Sequence, residues 1–185
     1  MILKGSNPYL GASFSFENRL LRALWGVAYL LLFRISPRPF HAWRVLLLRL
    51  FGARVGKGCH VYPSVKVWAP WNLNFGNHVG VADGVILYCM DRISIGDFAV
   101  ISQGAHLCGA THDYNSANFQ LIAKPITIGA YTWVCAEAFV HPGVLVSEGA
   151  VVGARAVVIH DLTEPWAVYT GNPCRQVARR NRIVL

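Results

Sequence analysis

A six-residue aliphatic beat limits what this chain can fold into more than any other feature. From Val55 every sixth position is aliphatic: Val55, Val61, Val67, Leu73, Val79 and Val85. The beat resumes as Ile95, Ile101 and Leu107, and again as Ile128, Val134, Val140, Val146, Val152 and Val158. A helix repeats about every 3.6 residues and a simple strand about every two, so neither accommodates a strict six. A triangular solenoid does: each face is a short strand, each corner a turn, and three faces complete a coil. The aliphatic residue points into the lumen. Gly56, Gly80, Gly96, Gly129 and Gly153 follow it where the backbone is crowded. Each coil buries its face only against its neighbours, and the hexads predict about five coils. A parallel β-helix over residues 53–163 is therefore expected, between an N-terminal helical segment (1–52) and a closing segment (164–185).

The 185 residues leave room for one core. Cys59, Cys89, Cys108, Cys135 and Cys174 form no Cys-x-x-Cys pair and are odd in number. They read as small packing residues in a reducing cytoplasm rather than a disulfide framework. No secretory leader pattern is legible. The net charge of +8 is unevenly spread. Residues 1–58 hold nine Lys or Arg and a single acid, Glu17; residues 59–174 hold four against eight acids; residues 175–185 add Arg175, Arg179, Arg180 and Arg182. Two basic regions thus flank an acidic solenoid. Nucleic-acid binding would need basic residues interleaved with aromatics on one surface, and the pattern argues against it.

Two helices are predicted before the repeats. The first follows Asn18 as a cap and ends at Pro37 and Pro39; the second runs from about Phe40 to Phe51 and ends at Gly52. The apolar run Ala23–Phe33 lies between Arg22 and Arg34 and is half of what a bilayer span needs. Two uses fit. The helices can cover the open end of the β-helix, or residues 16–51 can lie in an anionic membrane interface with arginines on headgroups.

The beat breaks twice. Val85 and Ile95 are ten apart, and Leu107 and Ile128 are twenty-one apart with a polar, irregular stretch between them. A solenoid tolerates insertions as loops leaving a corner, and such loops usually build sites. His112 sits at the base of the second, the expected loop 112–125.

Taken together, the [Ile/Val/Leu]-Gly-x4 repeats over about 55–163, Thr111-His112-Asp113-Tyr114, Ile101-Ser102-Gln103-Gly104 and Gly171-Asn172-Pro173-Cys174-Arg175 resemble the hexapeptide-repeat acyltransferases. The similarity is greatest to the sugar O-acetyltransferases of colanic-acid-type exopolysaccharide biosynthesis. That resemblance implies a left-handed parallel β-helix, a homotrimer, acetyl-CoA as co-substrate and no metal. It implies a sugar or lipid-linked glycan acceptor, with His112 as general base. A thioester is already activated, so the protein must chiefly take the proton from the attacking hydroxyl, which an imidazole does at cellular pH.

The family pattern also implies a coenzyme A groove made by Trp133, Ala136, Gly153 and Ile159. His160, Arg175, Arg179 and Arg180 would meet its phosphates. On the acceptor side this chain departs from the family's Asn and Asp, with Gly84 and Cys89 at those positions. Tyr88, Cys89 and Asp91 are the acceptor candidates. The expected location is the cytoplasm, at the inner face of the cytoplasmic membrane. A non-catalytic scaffold and a γ-carbonic-anhydrase-like metalloprotein remain as alternatives. Against the metalloprotein, His78, His106 and His112 do not match that family's histidine spacing.

Overall fold

The computed structural model describes residues 2–3 and 9–182; the remaining parts of the expected terminal segments, including Lys4, lie outside the described residues. The repeats wind into a parallel β-helix with three faces. The first face stacks Arg54–Val55, Leu73–Phe75, Ile93–Ile95, Ile126–Ile128 and Leu145–Val146. The second stacks His60–Val61, Gly80–Val81, Val100–Ile101, Trp133–Val134, Val151–Val152 and Ala167–Gly171. The third stacks Lys66–Val67, Ile86–Tyr88, His106–Cys108, Phe139–Val140 and Val157–Val158. Leu162 bridges Val146 in parallel and Ala167–Gly171 extends the second face, so the solenoid makes about six turns where the hexads predict five.

The phase of the beat is corrected in the second coil. Val55, Val61 and Val67 pair with Phe75, Val81 and Leu87, not with Leu73, Val79 and Val85. Those three are buried as well, one inward position earlier on the same faces. A 3₁₀ turn, Pro70–Asn72, lengthens the corner before Leu73 by two residues, and the next corner, near Met90, is lengthened equally. A strand alternates with period two, so a slip of two keeps aliphatics facing the lumen and hides the longer corners.

The glycine column is shifted in the same way: Gly56, Gly76, Gly96 and Gly129 share one corner. A Cβ on Gly76 would stand 2.1 Å from Asp97 Oδ1, and one on Gly96 2.5 Å from the Ala130 amide. By contrast a Cβ on Gly80 would meet nothing nearer than 3.8 Å. Close approach of successive turns explains the former; Gly80 only lines a strand.

A first coil has no neighbour on one side, so its strand edges carry unpaired carbonyls. The helices supply the donors. Trp25 Nε1 donates to Val67 O at 2.8 Å, Arg44 Nε to Val61 O at 2.6 Å, and Arg49 Nη2 to Val55 O at 2.7 Å. Each face thus receives a side-chain donor from α1 (Phe16–Ala28) or α2 (His41–Leu50). Trp25, Phe33, Val45, Leu47 and Leu48 are buried beneath them. The covering role expected of these helices is observed.

Local details differ from the sequence reading. Ser15, not Asn18, caps α1, its hydroxyl accepting from the Asn18 amide at 3.4 Å. The helix ends at Ala28 and continues as a π-helical turn, Tyr29–Phe33. The first helix pattern therefore overran its α-helical part by a turn.

Candidate active site

His112 ends the strand Ala110–His112, which pairs antiparallel with Leu121–Ala123. The expected irregular loop is a β-hairpin, leaving the corner between the third and first faces. Its tip is held locally: the Asp113 amide donates to Gln120 O at 2.9 Å, Asp113 Oδ1 accepts from the Asn115 amide at 3.1 Å, and Ser116 Oγ bonds Asn118.

The group that orients the imidazole is Phe119, which the sequence reading missed. His112 Nδ1 lies 2.8 Å from Phe119 O, and the two rings stack with centroids 4.3 Å apart and 10° between planes. A carbonyl only accepts, so Nδ1 carries the proton and donates it. In the neutral ring that leaves the Nε2 lone pair free to take a proton. Phe119 adopts φ +47°, a backbone conformation uncommon for a bulky residue, and this brings both its carbonyl and its ring to His112. Two aromatics, Tyr114 and Phe119, stand in this polar loop, and nothing in the sequence separates the one that meets His112 from the one that does not. Tyr9 packs against the same ring at 6.0 Å.

The acceptor candidates fare unequally. Cys89 is fully buried, its Sγ within 3.2 Å of both the amide and the carbonyl of Ala69, and desolvation pushes its thiol up to about 12. It packs the corner and cannot touch an acceptor, which corrects that expectation. Tyr88 points from the third face into a recess with Tyr29, Lys66 and Trp68, its ring 5.1 Å from that of Trp68. Burial raises its phenol above the ordinary range, and the Cys108 thiol adds to this. Asp91 lies half-buried on the corner one coil from the base of the hairpin, accepting from the Arg92 amide at 2.6 Å.

The residues expected around coenzyme A separate into groups. Ile159, His160 and Arg175 share a cleft of about 160 Å³ beside Tyr169 and Gln176. Ala136 and Gly153 lie together on the corner between the second and third faces, where Ala136 O accepts from the Arg155 amide at 2.9 Å. Trp133 stands outward on the second face, 47% exposed, with Nε1 donating to Ser102 Oγ at 2.8 Å.

Arg180 joins Trp133 in a separate hollow of about 340 Å³ with His78, Phe98 and Tyr131. It packs over Trp166 and hydrogen-bonds Tyr131 O at 3.3 Å. Arg175 and Arg179 lie on a strand, Cys174–Arg179, antiparallel to Ala167–Gly171, and Arg180 follows its end. Arg179 is paired with Glu164 at 3.0 Å. Of the four expected phosphate partners, only His160 and Arg175 meet.

The triangle fixes one relation. The hairpin leaves the corner between the third and first faces, and the side opposite that corner is the second face, which carries Trp133. Within one chain the prism stands between His112 and Trp133. Among the described residues no three His, Cys, Asp or Glu side chains gather as a metal site.

No family model matches the chain. Over 163 residues it is 41% identical to the colanic acid biosynthesis acetyltransferase WcaF of Escherichia coli K12, covering 88% of this chain and 89% of that protein. In fold it matches the hexapeptide-repeat acetyltransferase VCA0836 of Vibrio cholerae, solved with acetyl coenzyme A. The TM-score is 0.82, at 23% identity over 92% of this chain and 93% of that one. A galactoside acetyltransferase solved with coenzyme A also gives 0.82, at 24% identity over 92% and 86% of the two chains. At those identities the two structures speak for the fold.

Proposed function

Because this chain belongs to the hexapeptide-repeat acetyltransferases, in their colanic acid biosynthesis branch, we propose that it moves an acetyl group from acetyl-CoA to a sugar hydroxyl. The acceptor is an exopolysaccharide or lipid-linked glycan intermediate. The observation that carries the reading is the His112–Phe119 pair: a half-buried imidazole whose Nδ1 proton is held by a backbone carbonyl and whose Nε2 is left as a base. Nε2 takes the hydroxyl proton as the oxygen attacks the thioester carbon. The carbon–sulfur bond then breaks, and the sulfur leaves with that proton as coenzyme A thiol.

The donor is held by Trp133, by the corner of Ala136 and Gly153, and by the cleft of Ile159, His160 and Arg175, where imidazole and guanidinium suit phosphate. Arg180 serves from the Trp133 side, and Arg179, already paired, contributes least. Asp91, on the corner one coil from the hairpin, and Tyr88 are the acceptor-side candidates in this reading.

Trp133 and His112 on opposite sides of one prism support a trimer, since only a neighbouring copy can bring them to one groove. We expect light scattering to give three times the chain mass at micromolar concentration. Trp133→Ala should raise KM for acetyl-CoA by about tenfold while leaving the oligomer intact, as expected when about 1.4 kcal/mol of contact is lost. A monodisperse, active monomer would overturn the assembly.

The same reading places the enzyme in the cytoplasm at the inner face of the membrane, in peripheral contact through residues 16–51. Thiol release from acetyl-CoA, followed across free sugars and lipid-linked oligosaccharides, tests the activity. Release only with non-carbohydrate acceptors would overturn it.

A further inference from the structure

An ordinary surface helix buries one apolar stripe and turns polar residues outward. Here α1 and its π-helical continuation bury Trp25 and Phe33 on their inner side, yet their outer side is apolar too. Leu20, Leu24, Val27, Leu31 and Ile35, spaced by three or four, are 51%, 52%, 58%, 61% and 73% exposed. On α2, Trp43, Leu46 and Leu50 continue the surface, and an apolar groove of about 600 Å³ runs between the two stretches, lined by Leu31, Ile35, Phe40, Trp43 and Leu46.

The arginines expected to reach headgroups are largely committed elsewhere. Arg44 is buried; Arg22 lies over the Phe14 and Trp68 rings at 4.7 and 4.5 Å; Arg38 is paired with Asp83 at 2.9 Å. Arg19 and Arg34 remain exposed along α1 and its continuation, Arg34 beside the Tyr29 phenol, and Glu17 is the single acid of residues 1–58.

We propose that this outer face inserts into the hydrocarbon edge of an anionic membrane, with apolar area supplying the hold and Arg19 and Arg34 selecting anionic headgroups. Two observations choose a lipid surface over a protein partner. The stripe from Leu20 to Ile35 offers no side-chain donor or acceptor, whereas protein interfaces carry about one hydrogen bond per 100–200 Å². The cations flanking it complement anionic lipid. No helix among the described residues is long and apolar enough to cross a bilayer, so the contact is peripheral. The solenoid axis would then stand on the membrane through its covered end, and the groove would admit hydrocarbon from the leaflet.

This deepens the reading of a membrane-borne acceptor and rests on it only for its purpose, because binding is measured without acetyl-CoA or sugar. The full chain is sedimented with vesicles of phosphatidylcholine and phosphatidylglycerol, at low salt and at 0.5 M salt. Most of the protein should co-sediment in both, since apolar insertion resists screening that removes a purely electrostatic contact. The triple variant Leu20→Asn/Leu24→Asn/Leu31→Asn should lose binding by tenfold or more while keeping its oligomeric mass and thiol release with a soluble acceptor.

Release of the wild type by salt alone, or equal binding by the variant, would overturn the inserted face. An assembly larger than a trimer that collapses in the variant would overturn it in favour of a second copy. If that variant fails to fold, Leu20→Asn alone should still lower binding several-fold, and unchanged binding there would overturn the proposal. Thiol release without vesicle binding would sink this inference and leave the acetyltransferase intact.

Discussion

Replacing His112 with Ala should abolish most acetyl transfer, lowering kcat by on the order of 10²–10⁴, the usual contribution of a positioned base. The side chain is half-buried on a hairpin outside the lumen, so the variant should fold, form the same oligomer and bind acetyl-CoA with a near-normal Kd. A loss confined to kcat distinguishes a base from a binding residue. Phe119→Gly offers the companion measurement. Glycine takes the φ of +47° readily and keeps the carbonyl, so only the stacked ring is lost. Its kcat should fall by roughly tenfold and not by the full His112 effect. Near-normal turnover in His112→Ala would remove that residue from the chemistry.

The largest loss of stability is expected at Arg44. This guanidinium is fully buried with no ion pair among the described residues; it donates to Val61 O at 2.6 Å, Ser36 Oγ at 2.7 Å, Pro37 O at 2.9 Å and Arg38 O at 2.5 Å, and lies 3.2 Å from His41 Nδ1. Burial lowers its pKa, and the nearby Asp83 carboxylate opposes that shift without bonding the guanidinium, so the charge rests mainly on hydrogen bonds. Arg44→Ala removes donors from the turn 36–38 and from the open edge of the first coil together. It should cost about 3 kcal/mol or more, since bonds to a charged group contribute about 1.5–3 kcal/mol and their loss strands buried carbonyls. Arg44→Lys should recover little, because an ammonium cannot reproduce the planar fork. Denaturant unfolding would read both, and a change under about 1 kcal/mol for Arg44→Ala would show that the edge carbonyls find other partners.

How much of this was legible can be followed through single residues. Val55, Val61, Val67 and the run from Ile128 to Val158 face the lumen where the hexads put them, because each coil repeats the same strand–corner geometry and the repeat is written locally. Leu73, Val79 and Val85 are buried but one inward position early. Apolar residues, Phe75 among them, occupy both inward positions of a strand there, so a two-residue slip leaves no trace in hydropathy. The insertion carrying His112 was visible as a broken beat. Its hairpin was not, because Ala110–His112 and Leu121–Ala123 are short and their pairing depends on where the corner releases the chain.

The site divides along the same line. Sequence alone determined the solenoid, the position of the insertion and the identity of a histidine at its base, since each is encoded within one or two coils. Tertiary structure decided what those residues do together. It withdrew Cys89 by burying it and split Arg180 from Arg175 by the width of a face. It gave His112 its orienting carbonyl from seven residues on, and turned Arg44 inward while Leu20, Leu24 and Leu31 faced out. Composition counts charges and apolar groups, but their direction depends on contacts between segments far apart in the chain. Arg44 reaches Val61 and Trp25 reaches Val67 only once the first coil exists to be covered.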